Sequence, residues 1–276
     1  MTTILVTGAT GNVGRPLVDL LSTHDVRVRA VTRNPTPPFP PGVEAVRDVY
    51  AGIAGADAVF LNSRALGPQL DEVVSAARAA DVRRLVALSA INVDDDDTRQ
   101  PSRFRGDRNR EAEQAAVDSG LEWVSLRPSV FVTNFLAMWT PQLESGVVAG
   151  PFADASLAPI VETDIAAVAV RALLNDDLVG HKILLTGPQA LTNTEMVSVI
   201  ADVTGRRVQY REIEASAVRQ RFVDRGFAVE FADAYLAMLA DAVGTTATVT
   251  DEVQRITGCA ATTFAAAVRA AGLGSR

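Results

Sequence analysis

The sequence predicts a doubly wound α/β fold built on a parallel sheet, with a smaller, mainly helical region after it. Three observations carry that expectation. Short β-rich runs alternate with helical patterns through the first half, a glycine-rich turn joins the first run to the first helix, and the composition allows a large core. At 276 residues and 48% hydrophobic content, burial of roughly 75% of the unfolded surface is within reach.

Residues 4–7 form an apolar run, and Val13, Leu17, Leu20 and Leu21 then share one helical face. Residues 26–32 alternate Val26, Val28 and Ala30 against Arg27 and Arg29, the period of a strand. Five prolines between residues 35 and 41 forbid helix and central strand, so a loop is expected there. Residues 43–46, 58–62, 85–89 and 123–127 read as further strands. Between the last three lie helical patterns, Leu70/Val73/Val74/Ala77 and Ala112/Ala115/Ala116. In the second half, 164–174 reads as a helix capped by Asp164, 182–186 as a buried strand, 194–203 as a helix stopped at Gly205, and 207–213 as a strand. Helical patterns dominate from Ala215 onward, which suggests a lobe over the carboxyl ends of the sheet, where ligands of open α/β sheets bind. Residues 94–97 are four acids, closely followed by Arg103, Arg105, Arg108 and Arg110; a solvated surface and a flap over the site are both open readings.

Composition excludes several functions. A net charge of −7 without a basic stripe argues against nucleic acid as a partner, and no apolar run is long enough for a membrane span. Met1 leads straight into Thr2-Thr3-Ile4 with no signal-peptide pattern, so a cytoplasmic protein is expected. Cys259 is the only cysteine, expected as a small buried hydrophobe, and His24 and His181 are the only histidines; no metal site is expected. Lys182 is the only lysine. Any catalytic lysine has one place to be.

Gly8-Ala9-Thr10-Gly11-Asn12-Val13-Gly14 lies between the first strand and the first helix. A phosphate at that place needs backbone N–H donors and the positive end of a helix, without side chains in its way. Gly8, Thr10, Gly11, Asn12, Val13 and Gly14 are therefore candidate dinucleotide contacts. At the end of the second strand an acid would select NAD, yet the residue is Arg33, 19 positions beyond Gly14. Arginine can hold a 2′-phosphate through paired hydrogen bonds, so NADP(H) is the expected cofactor.

Together with Arg33-Asn34-Pro35 and Leu126-Arg127-Pro128, the glycine turn resembles the NmrA-like branch of the atypical short-chain dehydrogenase/reductases. The likeness extends through Ser119-Gly120-Leu121, Asp164-Ile165-Ala166, Leu185-Thr186-Gly187-Pro188 and Ile256-Thr257-Gly258, nearly the whole chain. It implies a Rossmann domain at 1–150, with 160–187 returning to the sheet, a substrate lobe at 188–276, and NADP(H). The wider superfamily protonates its substrate with a Tyr-x-x-x-Lys pair. Here those positions fall on Arg105 and Asn109, and Tyr50, Tyr210 and Tyr235 begin no such pair. Ser89 ends the fifth strand, while the usual serine position falls near Ile91. Ser89, Arg105 and Asn109 are the remaining catalytic candidates, Arg105 as an oxyanion partner if it points inward.

Asn62, Ser63 and Arg64 at the fourth strand's end, Ser89 and Ala90 at the fifth, and Pro128 are expected beside the cofactor. Asp48 is expected either near the adenine or as a helix cap. Asn92, Phe131, Asn134, Phe135, Met138 and Trp139 are candidate substrate contacts, and with Phe152 these aromatics suggest an apolar cavity. Without a dedicated acid, hydride transfer suits an acceptor that stabilises its own oxyanion. The expected substrate is a quinone or a polycyclic aromatic, polyketide-type ketone. A non-catalytic NADP(H) sensor that binds a protein partner is the alternative, and an isomerase or lyase on the same fold a third; oligomeric state stays open.

Overall fold

The computed structural model of the chain describes residues 1–34 and 39–273. β1 (Thr2–Val6) runs through the glycine turn into α1 (Gly14–Leu21), followed by β2 (Val26–Val31), β3 (Glu44–Val46), α2 (Val49–Ile53), β4 (Ala58–Asn62) and α3 (Ser63–Leu66). α4 (Leu70–Ala79) leads to β5 (Arg84–Leu88). Two 3-10 turns, Asp97–Arg99 and Pro101–Arg105, precede α5 (Asn109–Asp118), β6 (Glu122–Pro128) and α6 (Val132–Trp139). β7 (Val147–Gly150), β8 (Ser156–Leu157), α7 (Glu162–Leu174), β9 (Lys182–Leu185) and β10 (Leu191–Thr192) come next. The chain then forms α8 (Asn193–Thr204), β11 (Gln209–Glu212), α9 (Ala215–Asp224), α10 (Val229–Asp241), α11 (Glu252–Thr257) and α12 (Phe264–Ala270).

Among the described residues, seven strands form one parallel sheet in the order β3-β2-β1-β4-β5-β6-β9. The direction of winding reverses between β1 and β4, which opens a crevice at their carboxyl ends. Successive residues of β1 point to opposite faces, and both faces are covered. Ile4 and Val6 pack with Leu17 and Leu21 of α1 and with Ile165 and Ala169 of α7. Leu5 packs with Val59, Leu61, Val73 and Ala112 on the other face. The doubly wound Rossmann fold is thus the observed one.

The lobe is not purely helical: β7 pairs in parallel with β11, and β8 antiparallel with β10. These strands are two to four residues long; β11 lies within the stretch 207–213 expected as a strand, and the other three are too short to leave a period. The lobe core draws on Val132, Phe135 and Trp139 of α6 together with Val148, Met196, Ile200, Leu239 and Phe264. β9 meanwhile pairs with β6.

Two expectations are corrected. Asp164 does not cap its helix, because the N-cap position falls on Val161 and Asp164 lies in the first turn. Its carboxylate instead accepts from the backbone N–H (2.7 Å) and hydroxyl (2.9 Å) of Thr262, tying α7 to the segment before α12. Cys259 is exposed, immediately after the Gly258 cap of α11. The proline-rich loop falls partly outside the described residues, as does Pro35 of the Arg33-Asn34-Pro35 motif.

Candidate active site

The glycine turn is closed by Gly11 N–H donating to the Gly8 carbonyl at 2.9 Å, and α1 starts without a side-chain cap or an acid in its first turn. Gly8 has φ +65°, and a Cβ there would meet the Asn62 side chain at 2.9 Å. A Cβ on Gly14 would lie 2.1 Å from the Gly8 carbonyl oxygen. Helix and strand therefore approach as closely as only glycine permits. Thr10, Gly11 and Asn12 are exposed at the crevice, while Val13 is buried. An uncapped positive helix end beneath an open glycine turn fits a dinucleotide pyrophosphate.

A second observation agrees. Ser89, at the carboxyl end of β5, is 3% exposed, and its hydroxyl has no hydrogen-bond partner among the described residues. Leaving a buried hydroxyl unmet costs about 1–3 kcal/mol, which a ligand at that strand end would relieve. Ala90 is half-buried beside it, and Pro128 ends β6 nearby. Arg33 follows β2, exposed, with no ion pair among the described residues.

Other candidates have protein partners. Asn62 caps α3, accepting from Ala65 N–H at 3.2 Å. Ser63 is buried; its hydroxyl accepts from Arg108 N–H at 2.9 Å and donates to Asn109 at 3.4 Å. Arg64 pairs with Asp107 at 3.0 Å. Burial raises the Asp107 carboxyl, against the pull of Arg64, Arg105 and Arg108. Asp48 caps α2 through Tyr50 N–H. Asn109 also donates to Ser102. Arg105 lies outside, its guanidinium over the rings of Phe227 (5.6 Å) and Phe231 (6.0 Å). Lys182 pairs with Glu113 at 2.9 Å on the sheet's flank.

Of the acidic run, Asp97 pairs with Arg103 and Arg110 after it, and Asp94 with Arg127 of β6. Arg103 also meets Glu111. Arg99 pairs with Asp241 of α10, so this segment is docked against the lobe. Asn92 donates to the Arg99 carbonyl within it at 2.8 Å.

A cavity of about 280 Å³ opens in the lobe, lined by Met138, Trp139, Phe222, Tyr235 and the polar groups of Tyr210 and Asn193 among others. Of the expected substrate contacts, Met138 and Trp139 line it. Phe135 stands behind Trp139, with ring centroids 5.0 Å apart. Phe131 bridges to Ile160, Asn134 is exposed, and Phe152 packs into the lobe core. Helix α6 joins cavity and cradle: Thr133 in its first turn accepts from Asn12 at 3.4 Å and donates to Glu162, and its last residues face the cavity. Burial raises the Glu162 carboxyl.

Sequence reasoning passed over Tyr210 and Tyr235 because neither begins a Tyr-x-x-x-Lys pair. Tyr210 donates to the Pro151 carbonyl at 2.7 Å. Among the described residues the Tyr235 hydroxyl has only the Met138 sulfur, at 3.7 Å, and burial raises its pKa, so it stays protonated in the cavity. The visible signal was the spacing of Phe231 and Tyr235, four apart on α10.

Residues 8–176 match the NAD(P)H-binding family. The chain is 36% identical over 272 residues to the (4-alkanoyl-5-oxo-2,5-dihydrofuran-3-yl)methyl phosphate reductase of Streptomyces griseus, covering 95% of each. Its fold is that of the quinone oxidoreductase QOR2 of Escherichia coli, solved with NADPH, at TM-score 0.81 and 23% identity over 98% of this chain and 99% of that one. It is also that of a mutant NmrA, at TM-score 0.74 and 17% identity over 97% and 94%. No helix among the described residues is long and apolar enough to cross a membrane.

Proposed function

The chain belongs to the NAD(P)H-binding family and is an oxidoreductase of that type, and from this premise we propose that it is an NADPH-dependent reductase of conjugated carbonyl compounds, ketones or quinones. The observation that carries the reading is α6, which touches the glycine cradle at Thr133 and walls an open aromatic cavity with Met138 and Trp139. Thr133 and Met138 stand five residues apart on α6, a rise of about 8 Å, so one short helix links the cradle to the cavity.

When bound, the nicotinamide supplies hydride to the acceptor carbon. The chain's residues do the rest. Gly8, Gly11 and Gly14 admit the pyrophosphate, Arg33 takes the 2′-phosphate, and Ser89 and Pro128 border the ring. Trp139 and Met138 orient the acceptor, and the Tyr235 hydroxyl donates a hydrogen bond to the oxygen on which charge develops. A delocalised acceptor needs less of that help. At about 280 Å³, near the lower end of ~300–1,000 Å³ for small-molecule sites, the cavity favours a one- or two-ring or short acyl body over a large polycycle. The phosphate-bearing, conjugated substrate named for the Streptomyces griseus relative agrees with that size.

The test is anaerobic single-turnover oxidation of bound NADPH by a panel of quinones and conjugated ketones, with NADH in parallel. Rapid oxidation with NADPH is expected; tight NADPH binding that no acceptor discharges would overturn the reductase in favour of the sensor.

A further inference from the structure

α9 and its C-cap residue carry three arginines with different surroundings. Arg219 is held in a two-pronged pair with Asp233, at 2.6 and 3.2 Å. Arg221 and Arg225, four apart and so on one face, line the cavity and have no carboxylate partner among the described residues. Arg221 reaches only the Ala149 carbonyl, at 3.4 Å. Asp224, between them in sequence, accepts from Gln220.

The cavity's other polar groups are largely committed. Tyr210 donates to the Pro151 carbonyl, and Asn193 donates to the Pro151 and Phe152 carbonyls. Gln142 donates to the Met138 carbonyl and accepts from Ala149 N–H. The two guanidiniums are thus the strong donors left over, above a floor of Trp139, Val218, Phe222 and Tyr235. A chain of net charge −7 repels anions as a whole, so an anionic ligand needs such a local cationic pair.

We infer that Arg221 and Arg225 form an anion subsite at the rim of the lobe cavity, which selects a ligand with a phosphate or carboxylate on an apolar body. Two forked guanidiniums suit a phosphate monoester best, since each can bond two of its oxygens. The assignment rests on the reductase reading only in making that ligand the substrate; binding itself needs no turnover.

The experiment titrates the NADPH complex with octyl phosphate, octanoate, octanol and inorganic phosphate at low salt, read by Trp139 fluorescence and calorimetry. Octyl phosphate is expected to bind at least about tenfold more tightly than octanol. Octanoate reaching the same affinity assigns the subsite to carboxylates, and octanoate falling short assigns it to phosphates. In the double variant Arg221→Gln/Arg225→Gln, octyl phosphate should fall to the level of octanol, with octanol binding retained as a sign that the cavity is intact. Arg221→Lys/Arg225→Lys, which keeps charge but not the fork, should lie between. Octyl phosphate binding no better than octanol, inorganic phosphate binding as well as octyl phosphate, or a Gln variant keeping full affinity would each overturn the subsite. Failure of every acceptor to oxidise NADPH would sink the reductase alone and leave these titrations standing.

Discussion

At the scale of single residues, Arg33 and Tyr235 are proposed for different work and should fail differently. Arg33 stands exposed at the end of β2 without an ion pair among the described residues. On the proposed reading, Arg33→Asp removes a charge-assisted pair to the 2′-phosphate and adds repulsion. NADPH affinity should fall about 10–100-fold while NADH affinity rises, as fluorescence titration would read. An unchanged NADPH affinity would show that Arg33 is an incidental surface residue. Tyr235→Phe should leave NADPH affinity intact and lower kcat, about 100-fold for a simple ketone and much less for a quinone, whose oxyanion is delocalised. Equal losses with both acceptors would mean that the hydroxyl supports packing only. The place of Arg33 just past β2 was legible in the sequence because it follows from counting along one strand–helix–strand unit. Tyr235 was not, since its meeting with Met138 joins residues 97 positions apart.

Among the elements, the turn between β1 and α1 makes the sharpest demand on residue type. Gly14→Ala would drive a methyl to 2.1 Å from the Gly8 carbonyl, a backbone atom that cannot swing aside. The variant should lose NADPH binding and melt at lower temperature, at a cost of roughly 1–3 kcal/mol or more for forced overpacking. Gly11→Ala meets the same oxygen at 3.2 Å, so it should keep most of its stability and lose affinity chiefly through crowding of the phosphate. Thermal melts beside NADPH titrations separate the two; equal melting temperatures would refute the packing argument. This turn was readable in advance because the constraints on Gly11 and Gly14 come from the turn itself, whereas the approach of Asn62 to Gly8 joins residues 54 apart. The aromatic positions of α6 were readable as a face, but only Met138 and Trp139 of that face reach the cavity, while Phe135 serves the core. Nor could spacing show that Asp97 would pair with Arg103 and Arg110, or that Arg105 would lie over Phe227 and Phe231.

Over the whole molecule, the far edge of the sheet is held by a charge cluster remote from the glycine turn. Glu113, buried on α5, accepts from Ser125 and Arg127 of β6 and from Lys182 of β9, and thereby joins three elements. The sole lysine is used here, which is why the composition argument against a catalytic lysine needed no alignment. Burial opposes the Glu113 charge, but the hydrogen bonds from Arg127, Ser125 and Lys182 outweigh it and hold the carboxyl down at about 2, against an ordinary value of 4.5. A carboxyl depressed by folding stabilises the fold above its unfolded pKa, and that contribution is lost as pH falls through its folded one. Stability should therefore decline between about pH 4.5 and pH 2. Glu113→Gln leaves Arg127 with Asp94 alone and Lys182 without this partner, at a cost of about 3 kcal/mol near neutrality. Its denaturation midpoints should fall less steeply than the parent's across that acid window, without becoming flat, because Asp96, Glu111, Asp176 and Asp233 are also held below the usual carboxylate range by their partners. Chemical denaturation of both proteins at several pH values settles it: a variant as stable as the parent at pH 7, or one with the same acid slope, would show that the cluster merely decorates the sheet edge.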